Sequence, residues 1–146
     1  MINFSDGINN LLARLLPRPQ PVRSILLKQS VVLDIIQFAK SNFPKEFVAV
    51  LQGRIVQGTV TVTGIIYQPY VSARSTAIMQ MNLPMLSDSV GSVHSHPSAS
   101  NQPSDQDLQF FGKRGIVNLI IAYPFNPNTL ACYDRYGNRM DFSIVS

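Results

Sequence analysis

Apolar residues recur along the chain at two periods, which predict where helices and strands lie. From Ile8 to Leu16 every third or fourth position is apolar, which predicts a short amphipathic helix. A second helix is predicted to be capped by Ser30 and to stop before Pro44. Its apolar stripe consists of Val32, Ile35, Ile36 and Ala39. Helical signals return at Ser104 and run to about Phe111.

Strands are predicted where β-branched and other apolar residues cluster between turn signals. The predicted strands are 24–28, 46–51, 59–63, 75–81, 90–94 and 116–122, with a turn around Gly53. A terminal hairpin is predicted to join 129–135 to 139–145 through Tyr136-Gly137-Asn138. Because strands outnumber helices and do not alternate regularly with them, we expect an α+β domain with a mixed or mostly antiparallel sheet flanked by helices.

Three prolines predict a boundary near the amino end. Pro17, Pro19 and Pro21 form a stiff, extended connector behind the first helix. Residues 1–22 are therefore interpreted as an N-terminal amphipathic helix with its Pro-rich connector, and residues 23–146 as the main domain. A packing element or homodimer contact is favoured for this helix over a substrate-gripping role.

Composition excludes several classes of protein. The chain of 146 residues is 45% hydrophobic and 14% charged, which is typical of a globular domain and not of a disordered one. No apolar run approaches the ~20 residues that cross a bilayer. The apolar stretch near the amino end contains Arg14 and is followed by Pro17, unlike a signal peptide. We therefore expect a cytoplasmic protein with no membrane partner.

Charge and cysteine content exclude further kinds of partner and site. The net charge is +4, but the basic residues are scattered and form no dense run with interleaved aromatics, so no nucleic-acid partner is expected. Cys132 is the single cysteine, which rules out an intrachain disulfide and any multi-cysteine metal site. It lies in an apolar stretch and is interpreted as an inert core thiol.

The chain has two histidines, His94 and His96, at the end of a predicted strand. Residues two apart on a strand project to the same face about 6.5 Å apart, so both imidazoles can converge on one ion. Pro97 then stops the strand. After a short polar loop, Asp107 falls at the third position of the next helix, where its carboxylate can turn back toward the strand end. Two imidazoles and one carboxylate leave the fourth position of zinc for water, as in catalytic zinc sites.

Three neighbouring residues allow more than one interpretation. Asp105 is an alternative ligand, but it lies roughly 200° around the helix from Asp107, so we prefer Asp107. Ser104 is either a helix cap or a hydroxyl donor near the metal, or both. Glu46, at the start of an apolar predicted strand, is either the proton acceptor that a metal-bound water needs or a solvated charge, and sequence spacing alone does not place it beside His94.

Together these residues resemble the JAMM motif of the MPN⁺ zinc metalloproteases. The motif consists of His94-Ser95-His96-Pro97, six residues, Ser104 and then Asp107, and Glu46 matches the family's upstream glutamate. The segment 44–53 resembles the family's glutamate-bearing strand, which usually ends in Leu-x-Gly. The resemblance covers roughly residues 24–146 and is closest to small stand-alone archaeal members.

This resemblance implies a cytidine-deaminase-like α/β fold, an MPN domain, with one zinc ion per chain. It implies zinc ligation by His94, His96 and Asp107, proton transfer by Glu46 and oxyanion stabilisation by Ser104. It also implies an isopeptidase or peptidase that cuts after the C-terminal tail of ubiquitin-like protein conjugates. Two alternatives remain: a hydrolase that trims a sulfur-carrier protein or small conjugate, and a non-catalytic MPN-type scaffold.

Overall fold

In the computed structural model, which describes residues 21–67 and 88–146, the strands form one mixed sheet with an α-helix on each face. The strands are β1 (Ser24–Lys28), β2 (Val48–Val56), β3 (Thr59–Tyr67), β4 (Ser89–His96), β5 (Val117–Ala122), β6 (Leu130–Tyr133), β7 (Arg139–Met140) and β8 (Ser143–Val145). The helices are α1 (Gln29–Asn42) and α2 (Asp105–Arg114), with a 3₁₀ turn at Pro127–Thr129. The predicted α+β class is confirmed.

The strand order is β7-β6-β5-β4-β2-β3-β1-β8, which places β4 in the interior of the sheet. β4 pairs in parallel with β5 and antiparallel with β2. The carboxyl ends of β4 and β5 therefore lie at the same edge as the amino end of β2. Any polar residues at these strand ends are brought together by the topology alone.

Apolar side chains cover both faces of this central part. All six residues of β5 are buried, as expected for a strand that is covered on both sides. On one face α1 packs Val31, Ile35 and Ala39 onto the sheet. On the other face Phe110 and Phe111 of α2 pack against side chains from β2, β5 and β6. Interior strands that are held on both faces give a rigid base for the residues at their ends.

The predicted start of α1 and the predicted place of one turn are wrong. α1 begins at Gln29, directly after β1, with Lys28 at the N-cap and no side-chain cap hydrogen bond, so Ser30 is not the cap. β2 continues through Gly53, where a bulge brings the backbone against the carbonyl of Thr61. The turn comes later, at Gln57-Gly58, and both residues have positive φ, as a two-residue hairpin requires. The predicted stop of α1 before Pro44 is confirmed.

The predicted terminal hairpin is only partly correct. β6 and β7 pair through Cys132↔Met140 and Tyr133↔Arg139. The chain then leaves that edge, and β8 pairs in parallel with β1 at the opposite end of the sheet. Phe142, which lies between the two strands, packs against the core under α1. The Cys132 thiol is buried within this sheet, and burial raises its pKa to about 12.

Several predictions lie outside the described residues: the helix of residues 8–16, most of the proline connector and the strand at 75–81. Four further expectations also stay predictions: the division at residues 22 and 23, the homodimer contact, the cytoplasmic location and the lack of a nucleic-acid partner. Within the part of the chain that the structure describes, no helix is both long enough and apolar enough to cross a membrane.

Candidate metal centre

Three ligand atoms meet at the carboxyl end of β4. The Nε2 atoms of His94 and His96 lie 3.1 Å apart. Asp107, from the first turn of α2, places Oδ1 at 3.0 Å from His94 Nε2 and Oδ2 at 3.1 Å from His96 Nε2. His94 and Asp107 are buried, and His96 is nearly so. The structure thus brings together the three residues that the sequence predicts as ligands, and they form a site that can hold a metal ion.

The size of this triangle fits zinc. Bonds of about 2.0–2.1 Å in a tetrahedral site separate neighbouring ligand atoms by roughly 3.3 Å. The two Nε2 atoms lie 3.1 Å apart, and each lies 3.0–3.1 Å from a different oxygen of Asp107, so the spacing of the donor atoms comes close to that value. Two imidazole nitrogens and a carboxylate oxygen are also donors that zinc accepts, and three protein ligands leave one position for a water molecule.

Asp107 is oriented by the start of its own helix. Ser104 is the N-cap of α2, and its Oγ accepts a hydrogen bond from the Asp107 backbone N–H at 3.2 Å. In return the Ser104 backbone N–H donates to Asp107 Oδ2 at 2.7 Å, which completes a capping box. Asp105, two residues earlier in the same helical turn, is exposed. The preference for Asp107 over Asp105 as the inward-facing carboxylate therefore agrees with the geometry.

The surroundings of Asp107 keep its carboxylate ionised. Burial alone would raise its pKa, but hydrogen bonds from His94 and His96 and from the Ser104 backbone lower it well below its ordinary range. A carboxylate that stays charged at low pH is a good metal ligand, because a proton does not compete strongly for it.

His96 is fixed in the tautomer that a metal requires. Its Nδ1 lies 2.9 Å from the carbonyl oxygen of Ser100, which can only accept, so Nδ1 donates there and Nε2 is the nitrogen that faces Asp107 and would bind a metal ion once its proton has left. Burial lowers the pKa of His96, but the hydrogen bonds to Asp107 and Ser100 and the charge of Glu46 outweigh it, and the pKa is raised. Nδ1 of His94 is buried and has no hydrogen-bond partner among the described residues.

The register of β2 against β4 brings Glu46 to the same edge. Val48 pairs with His94, and the next step is held by bonds from Ser95 N to Phe47 O (3.0 Å) and from Phe47 N to Ser95 Oγ (2.9 Å). Glu46 comes just before these residues, and its charge is among the causes that raise the pKa of His96, so it lies near that imidazole. Because side chains alternate between faces, Glu46 lies on the face of Val48. β2 itself begins at Val48, two residues later than predicted, and Glu46 is exposed ahead of it.

Two residues that sequence reasoning missed hold the loop between the ligands. Tyr133 Oη donates to the carbonyl oxygen of Asn101 at 2.8 Å, and Asn101 Nδ2 donates to the carbonyl oxygen of Thr129 at 3.2 Å. These bonds attach the loop between His96 and Ser104 to β6 and to the turn before it. The partners are about thirty residues apart in the chain, and no local pattern in the sequence marks them.

The mixed sheet and the three candidate ligands at its edge are those of a metal-binding domain. Residues 28–136 match the family of prokaryotic homologs of the JAB domain. The match covers most of the chain, so this protein belongs to that family, and the resemblance predicted from the motif is confirmed.

Known relatives agree with this assignment. A probable metalloprotease of Haloferax volcanii is 28% identical over 131 residues, which cover 79% of this chain and 78% of the relative. A structure described as JAMM, a metalloprotease-like zinc site in the proteasome and signalosome, superposes with a TM-score of 0.66 at 28% identity and covers 85% of this chain and 100% of its own. A JAB1/MPN domain protein from Archaeoglobus fulgidus gives a TM-score of 0.66 at 32% identity, with coverage of 82% and 98%. The zinc site predicted for this chain is supported by the described zinc-site relative as well as by its own donor set.

Proposed function

We propose that this protein is a zinc-dependent isopeptidase or peptidase that cleaves after the C-terminal tail of a ubiquitin-like modifier. The observation that supports this most strongly is the triangle of His94, His96 and Asp107, whose ligand atoms lie within 4.8 Å of one another. An exposed carboxylate, Glu46, stands at the same sheet edge, which is the arrangement that hydrolysis of an amide needs.

In this proposal each residue has one task. His94, His96 and Asp107 hold zinc, which when bound supplies a polarised carbonyl and a water of lowered pKa. Glu46 accepts a proton from the attacking water. The same carboxyl group later gives that proton to the departing amine, so that it acts first as a base and then as an acid. Its exposed position leaves it accessible to both water and substrate.

Ser104 has a structural task and a proposed chemical one. Its Oγ already accepts a hydrogen bond from Asp107 N, and the hydroxyl hydrogen remains available for donation. We propose that the hydroxyl donates to the carbonyl oxygen of the substrate as negative charge develops there. The helix cap would hold that donor in a fixed position, so little reorganisation is needed during the reaction.

The substrate tail is expected to lie extended in a groove and to pair with a strand edge near residues 74–82, which lie outside the described residues.

Conjugates of the small modifiers of the host are the test substrates. Zinc-loaded protein should release the modifier with a free C-terminal carboxylate, and the same protein treated with a chelator should not. Cleavage restricted to sulfur-carrier fusions would replace the proposed substrate with that class, and no cleavage of any conjugate would refute the proposal in favour of a scaffold.

A further inference from the structure

The loop of residues 97–103 carries the carbonyl group that orients His96. His96 Nδ1 lies 2.9 Å from the carbonyl oxygen of Ser100, so the position of that oxygen decides where Nε2 of the same ring points. The Tyr123 backbone N–H holds the start of the loop at the carbonyl oxygen of Ser98 (3.0 Å), but Ser100 is two residues further on and is exposed. Exposed loops are mobile unless neighbouring elements hold them, so contacts from outside decide how firmly the Ser100 oxygen is placed.

Asn101 attaches the middle of this loop to the sheet. It is less exposed than its neighbours Ser100 and Gln102. Its carbonyl oxygen accepts a hydrogen bond from Tyr133 Oη at 2.8 Å, and its Nδ2 donates to the carbonyl oxygen of Thr129 at 3.2 Å. These two partners lie on β6 and in the turn directly before it. The Ser100 carbonyl is therefore one peptide unit away from a residue that is held at two points.

The Tyr133 ring offers its hydroxyl from a fixed position. The side chain is buried, and it stacks on Phe111 of α2 with ring centroids 6.0 Å apart and an angle of 19° between the ring planes. β6 itself is paired on both sides, with β5 and with β7. Burial raises the pKa of Tyr133, so the hydroxyl keeps its proton and remains a donor. The hydrogen bond to Asn101 thus comes from a group that core packing already holds in place.

We propose that Tyr133 is a positioning residue of the metal centre, which sets the orientation of His96 through Asn101 and Ser100. The Tyr133 hydroxyl holds the Asn101 carbonyl, Asn101 places the Ser100 carbonyl before it, and that oxygen accepts from His96 Nδ1. Tyr133 therefore acts on a bound ion through its neighbours and not by contact. The inference depends on the metal centre and not on which substrate is cleaved.

The expected size of the effect follows from the number of steps between Tyr133 and the ligand. Loss of a group that is bonded directly to a metal-ligating imidazole costs about 10- to 100-fold in metal affinity. The Tyr133 hydroxyl acts one residue beyond such a group, since Ser100 keeps its own carbonyl oxygen when Tyr133 is changed. Loss of the hydroxyl should therefore cost about tenfold, at the lower end of that range.

Tyr133→Phe tests this inference, because it removes the hydroxyl and keeps the ring on Phe111. Zinc affinity, measured by competition with a chromophoric chelator, should fall about tenfold. A second readout does not depend on affinity. The proton on His96 Nδ1, observed by NMR in zinc-loaded protein, should be protected in the wild type and be lost through exchange with water in the variant. Asn101→Ala, which removes the bond to Thr129, should change both readouts in the same direction.

Two controls separate the orientation of His96 from general effects of substitution. Tyr136→Phe removes the same hydroxyl from a ring that is 78% exposed in the turn before β7, and it should bind zinc as the wild type does. Ser92→Ala removes a buried hydrogen bond within the same sheet, from Ser92 Oγ to Asn118 Oδ1 at 2.9 Å. It should lower the free energy of unfolding and leave zinc affinity within about twofold of the wild type.

A double substitution identifies the route of the effect. In His96→Ala protein there is no imidazole at this position to orient, so Tyr133→Phe should change the residual zinc affinity by less than about twofold. A chelator of lower affinity brings this weaker binding into the measurable range. An equal loss in both backgrounds would mean that Tyr133 supports the fold and not His96, and would contradict the proposal.

The outcomes keep this inference apart from the proposed function. If Tyr133→Phe binds zinc as tightly as the wild type, or if the His96 proton stays protected in it, Tyr133 is not a positioning residue. If wild-type protein binds no zinc, the assignment of the metal centre is wrong, and this inference is wrong with it. Failure to cleave any conjugate would overturn the proposed function alone, because neither readout uses a substrate.

Discussion

Glu46 lies just before β2 and is exposed, whereas the three candidate ligands are buried or nearly so. This difference in exposure separates metal ligation from proton transfer. A ligand is held by its neighbours, as Asp107 is by Ser104 and His96 is by Ser100. A proton-transfer group must instead reach both solvent and substrate, and the position of Glu46 suits that role.

The substitution Glu46→Gln is expected to abolish turnover and to leave metal binding intact. The amide has nearly the same shape but cannot accept the proton, and general acid–base groups typically contribute about 10²–10⁴-fold to a rate. Zinc content by elemental analysis and kcat on a cleaved conjugate are the two measurements. Turnover at the wild-type rate in this variant would remove Glu46 from the mechanism.

His94→Ala is expected to lose the metal as well as the activity. The substitution removes one of three protein ligands and leaves the Asp107 carboxylate without one of its two imidazole partners. Zinc affinity, measured by competition with a chromophoric chelator, should fall by at least about 10²-fold. Loss of a residue that only supports a metal ligand already costs about 10- to 100-fold, and loss of a ligand itself should cost no less. Asp105→Asn is the matched control. Asp105 is exposed and lies in the same helical turn as Asp107, so this variant should bind zinc as the wild type does. Full occupancy in His94→Ala would contradict the ligand assignment.

These residues were not equally predictable from sequence. The spacing of His94 and His96 is local, so strand periodicity predicts that they share a face. The short loop and the capped helix start predict that the carboxylate of Asp107 turns back toward them. The proximity of Glu46 depends on the pairing of β2 with β4, which only the motif resemblance anticipated. The bond from Tyr133 to Asn101 depends on how the last strands return to the sheet, and no local signal predicts it.

Among the elements, β4 is the one that positions the site, and at Gly91 its backbone packs tightly against Val117 of β5. A Cβ at this position would overlap the carbonyl oxygen of Val117 in the neighbouring strand. The Gly91→Ala substitution must therefore push the two parallel strands apart, and we expect it to lower the free energy of unfolding by about 3 kcal/mol. Denaturant titration of the purified protein measures this change.

The control for this element is Gly112→Ala in α2. A Cβ there meets no atom within 4 Å, and alanine favours a helix over glycine by up to about 1 kcal/mol. The free energy of unfolding should stay unchanged or rise slightly. If both glycine variants have the same stability, the close approach between β4 and β5 does not limit the fold.

Sequence patterns gave the type of most described elements better than their ends. α1, α2 and the strands before and after them were recognised because their apolar faces follow the helical or the alternating period. The errors arose where tertiary contacts override local signals. Gly53 indicates a turn by composition but is a bulge inside β2, and the last arm of the predicted hairpin divides at Phe142, which packs against the core. Strand order was not predictable, since β8 pairs with β1 from the far end of the chain.

For the molecule as a whole, the coupled groups at the site predict how zinc and protons compete. In metal-free protein the pKa of Asp107 is lowered, so its contribution to stability is present above about pH 3.9 and is lost as the pH falls further. The pKa of His96 is raised, so its contribution is complete below about pH 6.5 and is lost as the pH rises through the folded-state pKa. Zinc must displace the proton of His96, so zinc binding strengthens as the pH rises through the pKa of His96.

The difference in Tm between zinc-loaded and chelator-treated protein should therefore grow from about pH 5 to pH 8. Thermal unfolding in matched buffers measures it. Asp107→Asn should make the difference small at every pH, because it removes both the charge that raises the pKa of His96 and one metal ligand. A difference that shrinks toward pH 8 would have the wrong sign for this competition.

One carboxylate serves two equilibria at once, since Asp107 both completes the box at the start of α2 and faces the two imidazoles. Linkage then requires that the ion and the first helical turn stabilise each other to the same extent. Any change that destabilises that turn, even one at its solvent side, will weaken binding of the ion, and an occupied site will slow deuterium uptake at the amides of the turn. The start of the helix thus stabilises the bound ion, and the bound ion stabilises the start of the helix.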